Sequence, residues 1–355
     1  MKKFTKFSFL ILAALILFSA CSSKIDPIEP TPPTSESENN TSSSLPQSPS
    51  DENPEESDEE ESPEYTNPLT GEEISADKVN SRPYAIMLNN IKQAMPQFGV
   101  SQADIIYELC AEGGITRMLG IYQDISTLGT VGSIRSARPY YIELALSHDA
   151  IYIHAGGSVQ AYSDISSKGV TAFDGVNGGY EGTMFWRDKD RIANNGYEHS
   201  MMASGKTITE VVGNTVRTEH ENDYAYEMNF DDDVKLDGGK NAEHIDVTFS
   251  SYKTSTFDYN ADDNLYYFSQ YGQPHIDAGN NQQVAVSNVI VLYAQQHVLD
   301  DAGRLSIDIV GSGEGMLFCG GKAVNITWSK ENGKQFTYST GDGLPITLER
   351  GRSYV

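Results

Sequence analysis

The run PYYIELALSHDAIYIHAGGSVQAYSDISSKG, residues 139–169, decides the fold class. It opens on Pro139, a residue suited to the first position of a helix, where its missing N–H removes no hydrogen bond. PYYIELALSHD therefore reads as a helix, and AIYIHAGG (150–157) as a short buried strand with branched and aromatic residues. SVQAYSDISSKG (158–169) reads as a second helix, with Ser158 as its N-cap and Gly169 as its stop. A strand lodged between two helices points to a mixed α/β layer.

Working outward, YAIMLNN (84–90) gives a short strand signal, and ADIIYELCAEGGITRMLGIYQD (103–124) reads as two strands around Gly113-Gly114. From Val170 to Ser204 the periodicity stops among glycine, asparagine and aromatic residues, which reads as an ordered long loop. GKTITEVVGNT (205–215) returns to a helical pattern, and ENDYAYEMNFDDDVKLDGGK reads as a polar connection with a domain boundary near residue 235. Beyond it, HIDVTFSS, STFDYNADDNLYYFSQ, VAVSNVIVLYA, GMLFCGGKAVNITWS and PITLE are short strands separated by turn signals such as DDAG and ENGK. The prediction is an α+β protein. A mixed α/β N-terminal domain (67–235) precedes a strand-rich, mostly antiparallel C-terminal domain (236–355).

The amino-terminal end reads as an address. Lys2, Lys3 and Lys6 precede the apolar core FSFLILAALILF, and Ser19 and Ala20 stand before Cys21. This has the form of a secretory signal (1–20), with an apolar run too short for a comfortable membrane span. FSAC resembles a bacterial lipobox, in which the cysteine is lipidated and becomes the new N-terminus. Residues 21–66 then read as a disordered Pro/Ser-rich tether, whose thirteen acids against Lys24 alone give a charge of −12. The chain carries −25 in all, and removing the tether and the +3 signal leaves −16 on residues 67–355. That balance argues against nucleic acid as a partner, so an anion site has to be local. Cys110 and Cys319 sit in apolar runs without CxxC spacing and read as free thiols rather than a disulfide.

Against this acidic background GSIRSARPYY (132–141) stands out. With Pro139 as the first helical residue, Ser136, Arg135 and Arg138 gather at a helix entrance, where free backbone N–H groups also point. Guanidinium forks suit phosphate or carboxylate, so the stretch reads either as an anion cradle or as arginines bracing an acid such as Glu112. His154 and the glycines after it form a second strand-to-helix junction that could share the crevice. FWRD (185–188) adds Trp186, Arg187 and Asp188, a set able to stack on a ring and hold polar groups or, equally, to pin its own loop. EGGITR adds Glu112 and Arg117 across a turn.

Other motifs are weak. DYNADDN (258–264) lacks the glycine and glutamate of a calcium loop, and GSGEG (311–315) lacks the lysine of a phosphate loop. The seven histidines show no metal-ligand spacing, so neither cofactor nor metal is predicted. No GxSxG surrounds Ser158 or Ser200, and no catalytic residue is assigned.

NPLTG (67–71), RPYAIMLNN, EGGITR, RSARPY, FWRD and the run NVIVLYAQQHVLDDAGRLSIDIVGSGEGMLFCGGKAVNITW together resemble the YerB-like bacterial lipoproteins. NNGYEHSMMAS (194–204) departs from that family's pattern. The resemblance covers nearly all of residues 67–355 and implies an extracytoplasmic lipoprotein of two domains, from a family of unknown function. The expectation is a protein held on the outer face of the bacterial cytoplasmic membrane by the lipid on Cys21. There it would bind an anionic cell-wall ligand through Arg135, Arg138, Arg187 and His154. Two alternatives stay open. One is an enzyme on envelope glycopolymers with Glu112 or Asp188 as base; the other is a scaffold for a protein partner. Oligomeric state is not legible.

Overall fold

The computed structural model describes residues 65–355 apart from 222, 223 and 227. The signal segment, Cys21 and nearly all of the acidic tether lie outside the described residues. Eleven strands form one sheet. In chain order they are β1 (Tyr84–Asn89), β2 (Ile105–Cys110), β3 (Thr116–Tyr122), β4 (Ile151–His154), β5 (Ala172–Asp174), β6 (Lys240–Asn241), β7 (Asn288–Leu292), β8 (Gly311–Cys319), β9 (Lys322–Lys330), β10 (Phe336–Ser339) and β11 (Ser353–Tyr354). Across the sheet they run β6-β9-β8-β7-β11-β2-β3-β1-β4-β5, with β10 beside β9.

The amino-terminal half is mixed. β3 runs antiparallel to both β1 and β2, whereas β4 lies parallel to β1 with Tyr84 opposite Ile151. β1, β3 and β4 are buried on both faces, so their sequences are apolar runs without alternation. β8 and β9 form an antiparallel hairpin from Gly311↔Lys330 to Cys319↔Lys322. β9 alternates buried and open positions, as expected of a strand with one wet face. The two-residue β11 is inserted between β7 and β2, parallel to both, and joins the two halves.

Helices α1 (Pro139–Ser147) and α2 (Val159–Ser167) flank β4 in the chain as predicted. Pro139 begins α1, and the Ser158 hydroxyl accepts from the Ala161 amide at 3.1 Å to cap α2. Tyr141, Ile142 and Ala145 of α1 share a core with Leu317, Ile326 and Trp328 of the carboxyl-terminal strands. A second core contains residues of helix α4 (Gly205–Val212) and of strands Lys253–Asn260 and Leu265–Gln270, which belong to a separate antiparallel sheet. Gly205 is required where it stands, because a Cβ there would lie 2.1 Å from the Ile125 carbonyl oxygen.

Between the halves lies a buried ion pair. Lys253 Nζ is 2.9 Å from Glu108 Oε1, with side chains 1 % and 0 % exposed. Glu108 also accepts from Thr116 (2.5 Å), Asn90 (2.9 Å), Ser255 (2.6 Å) and Tyr354 (2.6 Å). Burial works to raise its pKa, yet Lys253 and the hydroxyl donors hold the carboxyl below its ordinary value.

Two expectations are corrected. Residues 170–204, read as an ordered long loop, are more than a loop: they contain β5, a strand at Trp186–Arg187, helix α3 (Lys189–Asn194) and a strand at Met201–Ser204. Elements of two to six residues are too short to show a period. The polar connection likewise returns to the fold, with Asn229–Asp231 parallel to Thr347–Glu349 and Tyr226 stacked on His148 at 5.4 Å. Cys110 is half-buried, Cys319 is buried, and both are free.

Candidate anion site

The segment RSAR is threaded between the ends of two neighbouring strands. Arg135 donates its amide to Met87 of β1 (3.0 Å) and accepts from Ala155, just past β4 (3.0 Å). Ala137 donates to Gly156 (2.9 Å), and the Ser136 hydroxyl donates to the Ala155 carbonyl (3.1 Å). These bonds fix where the two guanidinium groups emerge. Arg138 occupies the N-cap position of α1 without capping it by its side chain.

Glu112 lies between two arginines. One of its oxygens pairs with Arg138, and the other stands 3.1 Å from Arg117 Nη1, an ion-pair distance without hydrogen-bond geometry. Arg117 is 4 % exposed and Arg138 8 %. Burial lowers the pKa of both, although a guanidinium stays charged at any ordinary pH. The Nε groups of both arginines and the fully buried Tyr152 hydroxyl have no hydrogen-bond partner among the described residues. Tyr140 is pushed up to about 12 by burial, in spite of Arg117 and Arg138 beside it.

Arg135 is half-buried. It donates to the Glu198 carboxylate at 2.7 Å and to the Glu198 carbonyl at 3.2 Å, and Glu198 is largely exposed. That hydrogen bond and charge hold the Glu198 carboxyl below its ordinary value. The turn Tyr197–His199 also anchors Arg187, which lies 3.8 Å over the Tyr197 ring and donates to the Tyr197 carbonyl at 2.8 Å. His199 meets Asn89 at the end of β1 at 2.8 Å.

The remaining residues singled out in the sequence have other surroundings. His154 is buried, bonded to the Gly156 carbonyl (2.9 Å) and stacked on Tyr152 at 5.1 Å. It therefore backs the cluster from inside the fold, with its pKa lowered by burial. Asp188 caps α3, accepting from the Arg191 amide at 2.8 Å. Trp186 is half-buried in a strand opposite Met202. Tyr152, Tyr140 and Glu198 carry no motif in the sequence that marks them as part of this cluster. Tyr152 lies within β4, but nothing in a sequence marks a hydroxyl that will lack a partner.

As chemistry, the arrangement is a set of preformed donors and fixed positive charge, only partly neutralised by Glu112 and Glu198. No group of three or more metal-ligating side chains occurs among the described residues.

Two family models match the chain. They are described as the N-terminal and C-terminal domains of a protein of unknown function, DUF3048, and cover residues 69–219 and 245–355. A Bacillus subtilis (strain 168) protein provisionally named lipoprotein YerB is 30 % identical over 285 residues, 79 % of this chain and 82 % of its own length. The crystal structure of YerB from B. subtilis superposes with a TM-score of 0.71 at 28 % identity, covering 81 % of this chain and 94 % of that one. On these matches the chain belongs to the DUF3048 family, the family that the YerB-like motifs in its sequence had indicated.

Proposed function

We propose that the protein is a membrane-tethered binding module for an anionic, phosphate- or carboxylate-bearing ligand of the cell envelope. One observation carries this reading: two nearly buried guanidinium groups share a single carboxylate and retain unpartnered Nε donors. Burying a charge and leaving a donor unpaired are both costly, and a bound anion relieves both at once. The Glu198 carboxylate paired with Arg135 at 2.7 Å supports this reading, since an incoming acid could pair with the same guanidinium. Tethering is supported by the signal-like start ending at Cys21 and by the lipoprotein name of the B. subtilis relative.

The test is calorimetric titration of inorganic phosphate and of citrate. Arg138→Gln and Arg135→Gln should each weaken binding about tenfold, the loss of one charge-assisted contact. Binding that is unchanged in both variants, or not detectable in the parent, would overturn the reading.

A further inference from the structure

A cavity of 830 Å³ opens beside β2 and β7 and is lined largely by apolar side chains, among them Leu109, Leu144, Val291, Ile307 and Trp328. Its size lies within the range of sites that enclose a small ligand. Three separate elements lead from this cavity to the arginine cluster. On β2, Cys110 lines the cavity, and Glu112 follows two residues later. On α1, Leu144 lines the cavity, and Arg138 stands at the helix entrance roughly 9 Å away along the axis. Between them Tyr140, one turn from Leu144, donates its hydroxyl to the Cys110 carbonyl at 2.9 Å. On the third, Ile307 lines the cavity and Arg304 lies three residues before it, roughly 10 Å along a strand. The adjoining Gly303 packs against the Glu112 turn, since a Cβ on it would sit 3.7 Å from the Gly113 amide. Positive charge thus stands at one end of an apolar chamber.

We propose that cluster and cavity are one site for an amphiphile with a single acidic head and an alkyl chain. The phosphate or carboxylate sits on Arg117 and Arg138, and the chain runs past Tyr140 into the cavity. This rests on the anion reading above and deepens it by naming the class of ligand. No covalent step is involved. Arg304, paired with Asp300 at 2.8 Å, lies near Arg138.

The test uses residues 21–355 with Cys21→Ser, so that no lipid is attached, and compares three probes: dodecyl phosphate, inorganic phosphate and dodecanol. The chain has two tryptophans, Trp186 and Trp328, so a Trp186→Phe background lets Trp328 report on the cavity. Dodecyl phosphate should bind about 100-fold more tightly than inorganic phosphate and shift the Trp328 emission, because each buried methylene adds affinity. Arg138→Gln should weaken both phosphates, whereas Val291→Phe, which fills the cavity, should weaken dodecyl phosphate alone. Equal affinity for the two phosphates overturns the amphiphile and leaves the anion site standing. Dodecanol binding as tightly as dodecyl phosphate, with no response to Arg138→Gln, overturns it as well. If neither phosphate binds, both readings fall.

Discussion

Arg117 and Arg138 hold one carboxylate between them, and the sharing sets what Glu112 does. Charges at contact distance near a protein surface interact by about 4 kcal/mol. On the proposed anion reading, Glu112 is a tethered competitor for the ligand at this pair. Glu112→Gln is expected to tighten phosphate binding about tenfold, equivalent to about 1.4 kcal/mol, as read by calorimetry. If Glu112 instead serves to align the arginines, the same variant will bind more weakly, and the competitor view fails. At this scale much of the candidate site was legible: Arg135, Arg138, Glu112 and Arg117 lie in two short motifs, and both meanings of the pair, anion cradle and brace, were visible. Glu112 is already visible in the sequence as an acid the arginines could brace, whereas Glu198 as partner to Arg135 depends on turns far apart in the chain. Trp186 and Asp188 drew attention as ring-stacking and polar residues, but one pairs within a small sheet and the other caps a helix.

β11 is only Ser353–Tyr354, yet both its edges are paired, and Tyr354 reaches into the two halves at once. Its ring lies 4.9 Å from Phe257 and 5.0 Å from Phe268, while its hydroxyl donates to Glu108 at 2.6 Å. Tyr354→Phe removes one donor from a buried carboxylate and should lower stability by about 1–3 kcal/mol. Tyr354→Ala also opens a cavity and should lower it by about 3–5 kcal/mol. Urea denaturation with an unchanged m-value measures both; an alanine variant within about 1 kcal/mol of the parent would show that β11 is not the joint. The helices were readable because Pro139 and Ser158 mark their starts. β11 as a strand between β7 and β2 was not, since a two-residue strand carries no period and its partners are chosen by the rest of the sheet.

Over the whole molecule, buried histidines make stability depend on pH. His148 is 1 % exposed, and burial pushes its pKa down to about 3. His275 is 4 % exposed and is pushed down to about 4, again mainly by burial. Their contacts match neutral rings, with His148 Nε2 2.9 Å from the Tyr107 hydroxyl and His275 Nδ1 2.9 Å from the Gln270 amide. Lys330 and His220 face the first; Lys253, Asp277 and Glu108 face the second. An unfolded chain protonates both histidines below about pH 6.5, while the native state does not until pH approaches 3 or 4. Their contribution is thus complete above pH 6.5 and is lost as pH falls, by about 1.4 kcal/mol per pH unit for each ring. The urea midpoint should therefore drop steadily from pH 7 to pH 5. A midpoint that stays level over that interval would contradict the assignment.

The position of β11 also bears on the order of assembly. Residue 105 meets residue 353 in one ladder, so β2 has no neighbour on that side until almost all of the described chain is present. Contacts so distant in sequence are slow to form, because a long loop must close before they return any stabilisation. Meanwhile β2 and β7 each carry an open edge able to pair with a strand from another molecule. Closure of the sheet is then a late event, and crowding among half-finished copies is the hazard that this topology brings.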